Sequence, residues 1–144
     1  MKYNLGCGKR VFDGYINYDK DELDLNRNFE LKDANEILLY HVLEHIDNPL
    51  KTMYNIHREL DANGVVKVKL PSYSCDILHK NFAFNGDYFR MLGYRATGTG
   101  LQEDYLFNIK KVKYQLSFKC FLSNIKKWLL SMMSYTVYFE LEKR

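Results

Sequence analysis

Short apolar runs separated by polar segments fill the first half of the chain and predict a series of short strands. The run at 2–5 leads directly into the glycine turn at 6–8, and the run at 15–18 ends at Asp19. The link between these two strands, residues 7–14, has 8 residues, fewer than the dozen or so that a parallel crossover with a full helix needs. At most one helical turn fits there.

The following segment is polar and gives way to a strongly apolar one. Residues 20–35 are acidic with isolated apolar positions, and the pattern predicts a third, very short strand around Leu23–Leu25. Residues 37–40 form a continuous apolar run. Such a run is typical of a strand that is buried on both faces of a parallel sheet.

A helix is predicted after this strand. Asp47 or Asn48 can cap its start, Pro49 suits the first helical position, and Gly64 can close its end. One face at helical spacing carries Leu50, Met53, Ile56, His57 and Leu60. The alternating run at 65–70 then predicts a strand, so that 37–70 form a strand–helix–strand unit with a parallel strand pair.

The second half of the chain is less regular. Residues 72–115 are aromatic and irregular, and the segment 95–100 has the composition of a mobile lid loop. A second amphipathic helix is predicted over 118–132. Only 136–141 alternates clearly as a strand, so we expect the sheet to lack one strand at its C-terminal end.

Length and composition indicate one compact, soluble domain. The 144 residues fit a single domain, 1–144, with a core at 1–71, an irregular aromatic region at 72–115 and a helix and strand at 116–144. No apolar run approaches the roughly 20 residues that span a membrane, and the N-terminus lacks the apolar core of a signal peptide. The 3 cysteines are odd in number and widely spaced, which favours a reducing cytoplasm.

The net charge of +3 hides an asymmetry. Residues 1–64 carry 8 Lys/Arg and 12 Asp/Glu, whereas residues 65–144 carry 13 Lys/Arg and 6 Asp/Glu. A solvated basic face explains this excess most simply. An anionic partner of the second half is the alternative. No basic block is long enough to indicate a nucleic acid.

The glycine turn and Asp19 are the first candidate site. The dinucleotide fingerprint is incomplete, because Val11 stands where the third glycine would be. Gly6 and Gly8 still allow a ligand to approach the backbone closely. Ligands of open parallel sheets lie beyond the carboxyl ends of the strands. An acid at the end of the second strand, such as Asp19, can accept hydrogen bonds from both hydroxyls of a ribose.

The H-x-x-E-H sequence at 41–45 is the second candidate site and permits two interpretations. By spacing alone it is an inverted zincin motif, with His41 and His45 as zinc ligands and Glu44 as the catalytic carboxylate. That arrangement requires both histidines on one face of a single helix. Because His41 directly follows a strand and a new helix starts only near Pro49, we favour a strand end that opens into a pocket, with no metal.

Taken together, NLGCGKRVFDGYINYD and ILLYHVLEHIDNPLKTMYNIHRELDANGVVKVKLP resemble class I S-adenosylmethionine-dependent methyltransferases. The resemblance is to a compact subgroup with a shortened first crossover, and it is close only over residues 2–71. It implies a Rossmann-like α/β fold of reduced size, with a mostly parallel sheet flanked by helices. It also implies S-adenosylmethionine as cofactor.

The resemblance assigns roles to individual residues. Asn4, Gly6, Cys7 and Gly8 would line the methionine end of the cofactor, with Asp19 at its ribose. Asp24 would lie near the adenine, and the wall after the fourth strand would be formed by Tyr40, His41 and Leu43. His41 and His45 are the candidate general bases, since an imidazole titrates near neutrality.

The methyl acceptor is the least determined part of this hypothesis. The basic, aromatic second half is compatible with a sugar, a nucleotide-linked glycan or another anionic small molecule. A cofactor-binding regulator or subunit without transferase activity is an alternative of a different class. A small domain with an exposed sheet edge is also a candidate homodimer.

Overall fold

The computed structural model describes residues 1–71, 94–97, 100–103, 107–116 and 135–143. Eight strands and one α-helix lie in this part of the chain. Their bounds are β1 Lys2–Leu5, β2 Ile16–Tyr18, β3 Ala34–Tyr40, α1 Pro49–Glu59, β4 Leu60–Pro71, β5 Tyr94–Thr97, β6 Gly100–Glu103, β7 Phe107–Leu116 and β8 Tyr135–Lys143. A single 3-10 turn, Leu43–His45, precedes α1.

Six of these strands form one sheet in the order β2-β1-β3-β4-β8-β7. The pairs β2–β1, β1–β3 and β3–β4 are parallel, while β8 is antiparallel to both β4 and β7. Within this sheet only β8 therefore runs against the others. The predicted α/β fold with a mostly parallel sheet is confirmed. Strands β5 and β6 form a separate antiparallel pair.

The core lies between α1 and one face of the sheet. Asn48 caps the helix, because its side-chain oxygen accepts a hydrogen bond from the Lys51 N–H at 3.0 Å. Met53 and Ile56 are fully buried in the same cluster as the inward residues of β3 and β4. Full burial of each such side chain contributes about 1.5–3 kcal/mol.

Among the described residues no helix is both long and apolar enough to cross a membrane.

The end of α1 differs from the prediction. The helix ends at Glu59 and β4 begins at once at Leu60, so Gly64 lies inside a strand instead of closing the helix. Leu50 is 45% exposed and does not belong to the buried face. The buried face is completed by Thr52, whose hydroxyl donates to the Leu25 carbonyl oxygen at 2.9 Å.

Two further predictions were wrong, the strand over 23–25 and the loss of a C-terminal strand. No strand forms over 23–25, where the chain makes turns. The lid segment 95–100 falls largely on the β5–β6 pair, and the irregular region 72–115 includes most of β7. Because β7 pairs with β8 at the sheet edge, the expected loss of a C-terminal strand is also wrong. The helix predicted over 118–132 lies outside the described residues.

The link between β1 and β2 contains no helix, as its length predicted. Two side-chain amides organise it instead. Asn17 accepts hydrogen bonds from Asn4 Nδ2 at 2.8 Å and from the Phe12 N–H at 3.0 Å. Its own Nδ2 donates to the carbonyl oxygens of Phe12 and Tyr15 at 3.1 and 2.8 Å. The backbone of the link thereby obtains the partners that a helix would have supplied.

Glycine is required where β1 ends, because the backbone passes close to another segment. Gly6 has φ +66°, and a Cβ atom placed there would lie 2.7 and 2.9 Å from the two methyl carbons of Val42. Gly8 has φ +51° but no atom within 4 Å of the corresponding position. Both positions favour glycine through their backbone conformation, and only Gly6 adds a steric constraint.

We predict that Asn17→Ala destabilises the fold by about 2–3 kcal/mol, because each buried partner left unsatisfied costs about 1–3 kcal/mol. Urea denaturation monitored by circular dichroism measures this loss. Asn35→Ala is the matched control, since Asn35 is exposed and its removal should change stability by less than about 0.5 kcal/mol. Equal losses in the two variants would contradict the bridging role.

We also predict that Gly6→Ala costs more than Gly8→Ala. Both variants place a side chain in the left-handed region, at about 1–2 kcal/mol. Only Gly6→Ala forces Val42 to move, which adds about 1–3 kcal/mol. The difference between the two denaturation midpoints isolates the contact with Val42. A Gly8 variant as unstable as the Gly6 variant would show that this contact is unimportant.

Candidate functional site

The ends of three neighbouring parallel strands lie side by side at one edge of the sheet. Leu5 at the end of β1 is in register with Tyr18 at the end of β2, and β3 lies on the other side of β1 and ends at Tyr40. The Cys7 N–H donates to the Tyr18 carbonyl oxygen at 3.0 Å, which holds the glycine turn against β2. The predicted convergence of the three strand ends is confirmed.

A cleft of about 380 Å³ opens beyond these strand ends. Its volume is within the range of about 300–1,000 Å³ that is usual for small-molecule sites. The described residues that line it are Gly6, Asp19, Lys20, Leu23, Asp24, Leu25, Asn26, His41, Val42, His45, Ile46 and Asp47. Three segments of the chain therefore contribute: the glycine turn, the turns after β2, and the segment after β3.

Five of the residues singled out in the sequence meet in this cleft: Gly6, Asp19, Asp24, His41 and His45. They come from the ends of three strands and from the turns that follow β2. Strand β2 separates the glycine turn from the turns after β2, and β3 separates those turns from the histidines. The parallel pairing of the strands is what brings them together.

The remaining predicted residues lie around the cleft and are not part of its lining. Cys7 and Gly8 continue the glycine turn. Asn4 is only 2% exposed, and its amide is directed to Arg10 and Asn17. Tyr40 packs edge-on against Phe12. Leu43 is fully buried in the core.

The two acids of the cleft have different surroundings. Asp19 is exposed, and its carboxylate accepts no hydrogen bond from the described residues. Asp24 accepts hydrogen bonds from the Asn26 backbone N–H at 3.0 Å and from the Asn26 side-chain amide at 3.3 Å. These bonds, with help from the nearby Arg27 guanidinium, lower the pKa of the Asp24 carboxyl. Asp24 is thus held in place, whereas Asp19 can accept hydrogen bonds from a ligand.

Cys7 is a poor candidate for a nucleophile. Partial burial raises the pKa of its thiol, and the carboxylates of Asp19 and Glu22 raise it further. The thiol therefore stays protonated, and only a thiolate attacks readily. Cys7 contributes the backbone of the turn.

The H-x-x-E-H segment does not form the helix that a zinc site requires. His41 has φ +60°, and only Leu43–His45 make a short 3-10 turn. The His41 imidazole Nδ1 lies 3.2 Å from Glu44 Oε1. The carboxylate that a zincin would use for catalysis is therefore paired with one of the two histidines that would bind the zinc. No group of three or more metal-binding side chains occurs within the described ranges. This backbone gives the peptidase alternative no support.

The sequence interpretation missed the apolar wall of the cleft. Val42 and Ile46 flank the 3-10 turn and line the cleft together with Leu23. The two rims are tied together by the Asp47 N–H, which donates to Asn26 Oδ1 at 2.8 Å. The signal in the sequence is the pair of apolar positions four residues apart in VLEHI, which border the polar residues of the motif.

Comparison with known proteins depends on structure, because sequence gives no match. No protein-family model matches the chain, and a search of the curated proteins found no match.

Several solved structures share the fold. A methyltransferase dependent on S-adenosylmethionine from Archaeoglobus fulgidus has a TM-score of 0.54 and 12% identity, over 99% of this chain and 85% of its own. Another from Thermotoga maritima has a TM-score of 0.56 and 14% identity, over 99% and 82% of the two chains. The MccD protein has a TM-score of 0.58 and 10% identity, over 99% and 90%. The chain has the class I methyltransferase fold, in a short version of 144 residues.

Proposed function

We propose that this protein is a methyltransferase that uses S-adenosylmethionine. The observation that carries the proposal is the meeting of the glycine turn, Asp19 and His41 in one cleft at the carboxyl ends of three parallel strands. In open α/β sheets this edge is where ligands bind. The fold shared with the two methyltransferases supports the same choice of ligand.

The residues of the cleft fit such a cofactor. Gly6 lines the cleft with backbone atoms alone, so no side chain of its own separates the turn from a ligand. Asp19 is available to accept hydrogen bonds from the two ribose hydroxyls. Asp24 would lie near the adenine. The side chains of Val42 and Ile46 would make apolar contacts with the adenine ring.

When bound, S-adenosylmethionine would supply an activated methyl group on a positively charged sulfur. The protein must then align the acceptor, exclude water and take up the proton that a hydroxyl or amine acceptor loses. Positioning alone can contribute several kcal/mol. We assign the proton to His41, which lines the cleft with a half-exposed side chain, and keep His45 as the second candidate.

The proposed acceptor is a small molecule or a sugar-containing molecule, including anionic ones. The excess of Lys and Arg in residues 65–144 supports an anionic acceptor. One charge of this excess is already neutralised, since Lys67 pairs with Glu36 of the first half at 2.9 Å. Lys20 on the cleft is the described cation best placed to meet an acceptor's charge.

We predict that S-adenosylmethionine and its demethylated product bind without added metal and that Asp19→Ala weakens both. The expected loss is about 1–3 kcal/mol, or roughly 5- to 150-fold in Kd, because ribose hydroxyls lose their acceptor. Isothermal titration calorimetry measures it. Asp13→Ala removes the same charge from an exposed position outside the cleft lining and should bind normally. Unchanged affinity in Asp19→Ala would contradict the ribose assignment.

We further predict methyl transfer from S-adenosylmethionine carrying a labelled methyl group into an extract of the source organism. His41→Ala should reduce the transfer at least tenfold, and by more than it reduces cofactor affinity, since general-base catalysis typically contributes 10²–10⁴-fold. Separation of the labelled products by size and by anion exchange identifies the class of acceptor. Tight cofactor binding with no transfer in the extract would favour the non-catalytic binding subunit.

A further inference from the structure

A fully buried carboxylate lies directly behind the cleft. Glu44 is 1% exposed, although Glu is among the residues that are least often buried. Its Oε1 lies 3.2 Å from the Nδ1 atom of His41. Its Oε2 is also buried and has no hydrogen-bond partner among the described residues.

This arrangement costs stability. A buried carboxylate is tolerated when its oxygens are paired or hydrogen-bonded, and most buried polar atoms have a partner. Here one oxygen is bonded to a single imidazole nitrogen, and the other is bonded to none of the described groups. An apolar side chain of similar length would fill the same space without this cost. The carboxylate is therefore not explained by packing.

The backbone of His41 carries a second cost. Its φ of +60° lies in the left-handed region, which costs a residue with a Cβ about 1–2 kcal/mol. The His41 N–H donates to the Lys69 carbonyl oxygen at 2.8 Å and fixes this conformation at the end of β3. Strained positions of this kind cluster at functional sites. Two unfavourable features thus meet in one pair of side chains.

We propose that Glu44 is a positioning residue that sets the tautomer and orientation of the His41 imidazole. The Nδ1–H donates to Glu44 Oε1, so Nε2 keeps its lone pair and is the nitrogen available on the cleft side. The buried carboxylate also stabilises the positive charge that appears on the ring when Nε2 accepts the acceptor's proton. This inference rests on the proposed function, in which His41 is the general base.

The tautomer can be read directly, without cofactor or acceptor. A histidine side chain in water favours the proton on Nε2, so a proton on Nδ1 indicates a partner that holds it there. We expect long-range ¹H–¹⁵N correlation spectra of the full chain, about two pH units above the ordinary histidine pKa of ~6.5, to show His41 protonated on Nδ1. Comparison with His41→Gln assigns the signal.

Glu44→Met is the decisive variant, since methionine is unbranched and apolar. We expect the His41 proton to move to Nε2 while the midpoint of urea denaturation stays the same or rises. Glu30→Met removes a carboxylate from an exposed position and should leave the tautomer unchanged. Affinity for the demethylated cofactor should stay within about twofold in both variants.

The proposal is overturned if His41 of the unmodified chain carries its proton on Nε2, a result that needs no variant. It is also overturned if Glu44→Met keeps the Nδ1 tautomer or lowers the denaturation midpoint, because Glu44 would then act in packing. Failure of the proposed function would appear separately, as a lack of cofactor binding by the unmodified chain.

Discussion

The pairing of two side-chain amides, those of buried Asn4 and half-buried Asn17, is the interaction on which the cleft edge of the sheet depends. A parallel strand pair normally needs a long crossover, because the chain must return to its starting edge and satisfy its backbone on the way. Here only ten residues separate β1 from β2. The amides bond to each other and to three carbonyl oxygens of the link. Side-chain hydrogen bonds thus replace a helix, and the ends of β1 and β2 stay in register.

The width of the cleft follows from a second constraint, the contact between Gly6 and Val42. Gly6 leaves no room for a side chain, so the glycine turn and the segment after β3 approach as closely as a methyl group permits. Two interactions fix the position of Val42. Its side chain packs against Gly6, and its carbonyl oxygen accepts a hydrogen bond from the His45 N–H at 2.9 Å. One side of the cleft is therefore bounded by the contact between the Gly6 backbone and the Val42 side chain.

Sequence patterns located the elements that have strong periodicity and misplaced those that depend on pairing. The apolar run at 37–40 and the alternation at 65–70 correctly predicted β3 and β4. Burial alone requires apolar residues at these positions, so the pattern is visible in the sequence. The predicted bounds were wrong where strand pairing determines the end of an element. Strand β4 starts at Leu60, ahead of Gly64, because Leu60 pairs with Ala34 of β3. Strand β7 carries polar residues on an edge and is stabilised by pairing with β8. Its apolar residues alternate from Phe107 to Ile109 and again from Val112 to Leu116, but a register shift between Ile109 and Lys111 interrupts the period of two.

The site was predictable to the extent that strand ends determine it, and the H-x-x-E-H segment shows why spacing alone is not enough. On an α-helix, residues 41 and 45 would share a face and could hold a metal. At the end of a strand, the left-handed conformation of His41 and the 3-10 turn after it bring residues 41 and 44 together instead. In this backbone the H-x-x-E-H sequence forms a hydrogen-bonded pair of His41 and Glu44. Because the preceding strand pairs with both β1 and β4, the backbone context, more than the motif, determines which chemistry these residues can perform.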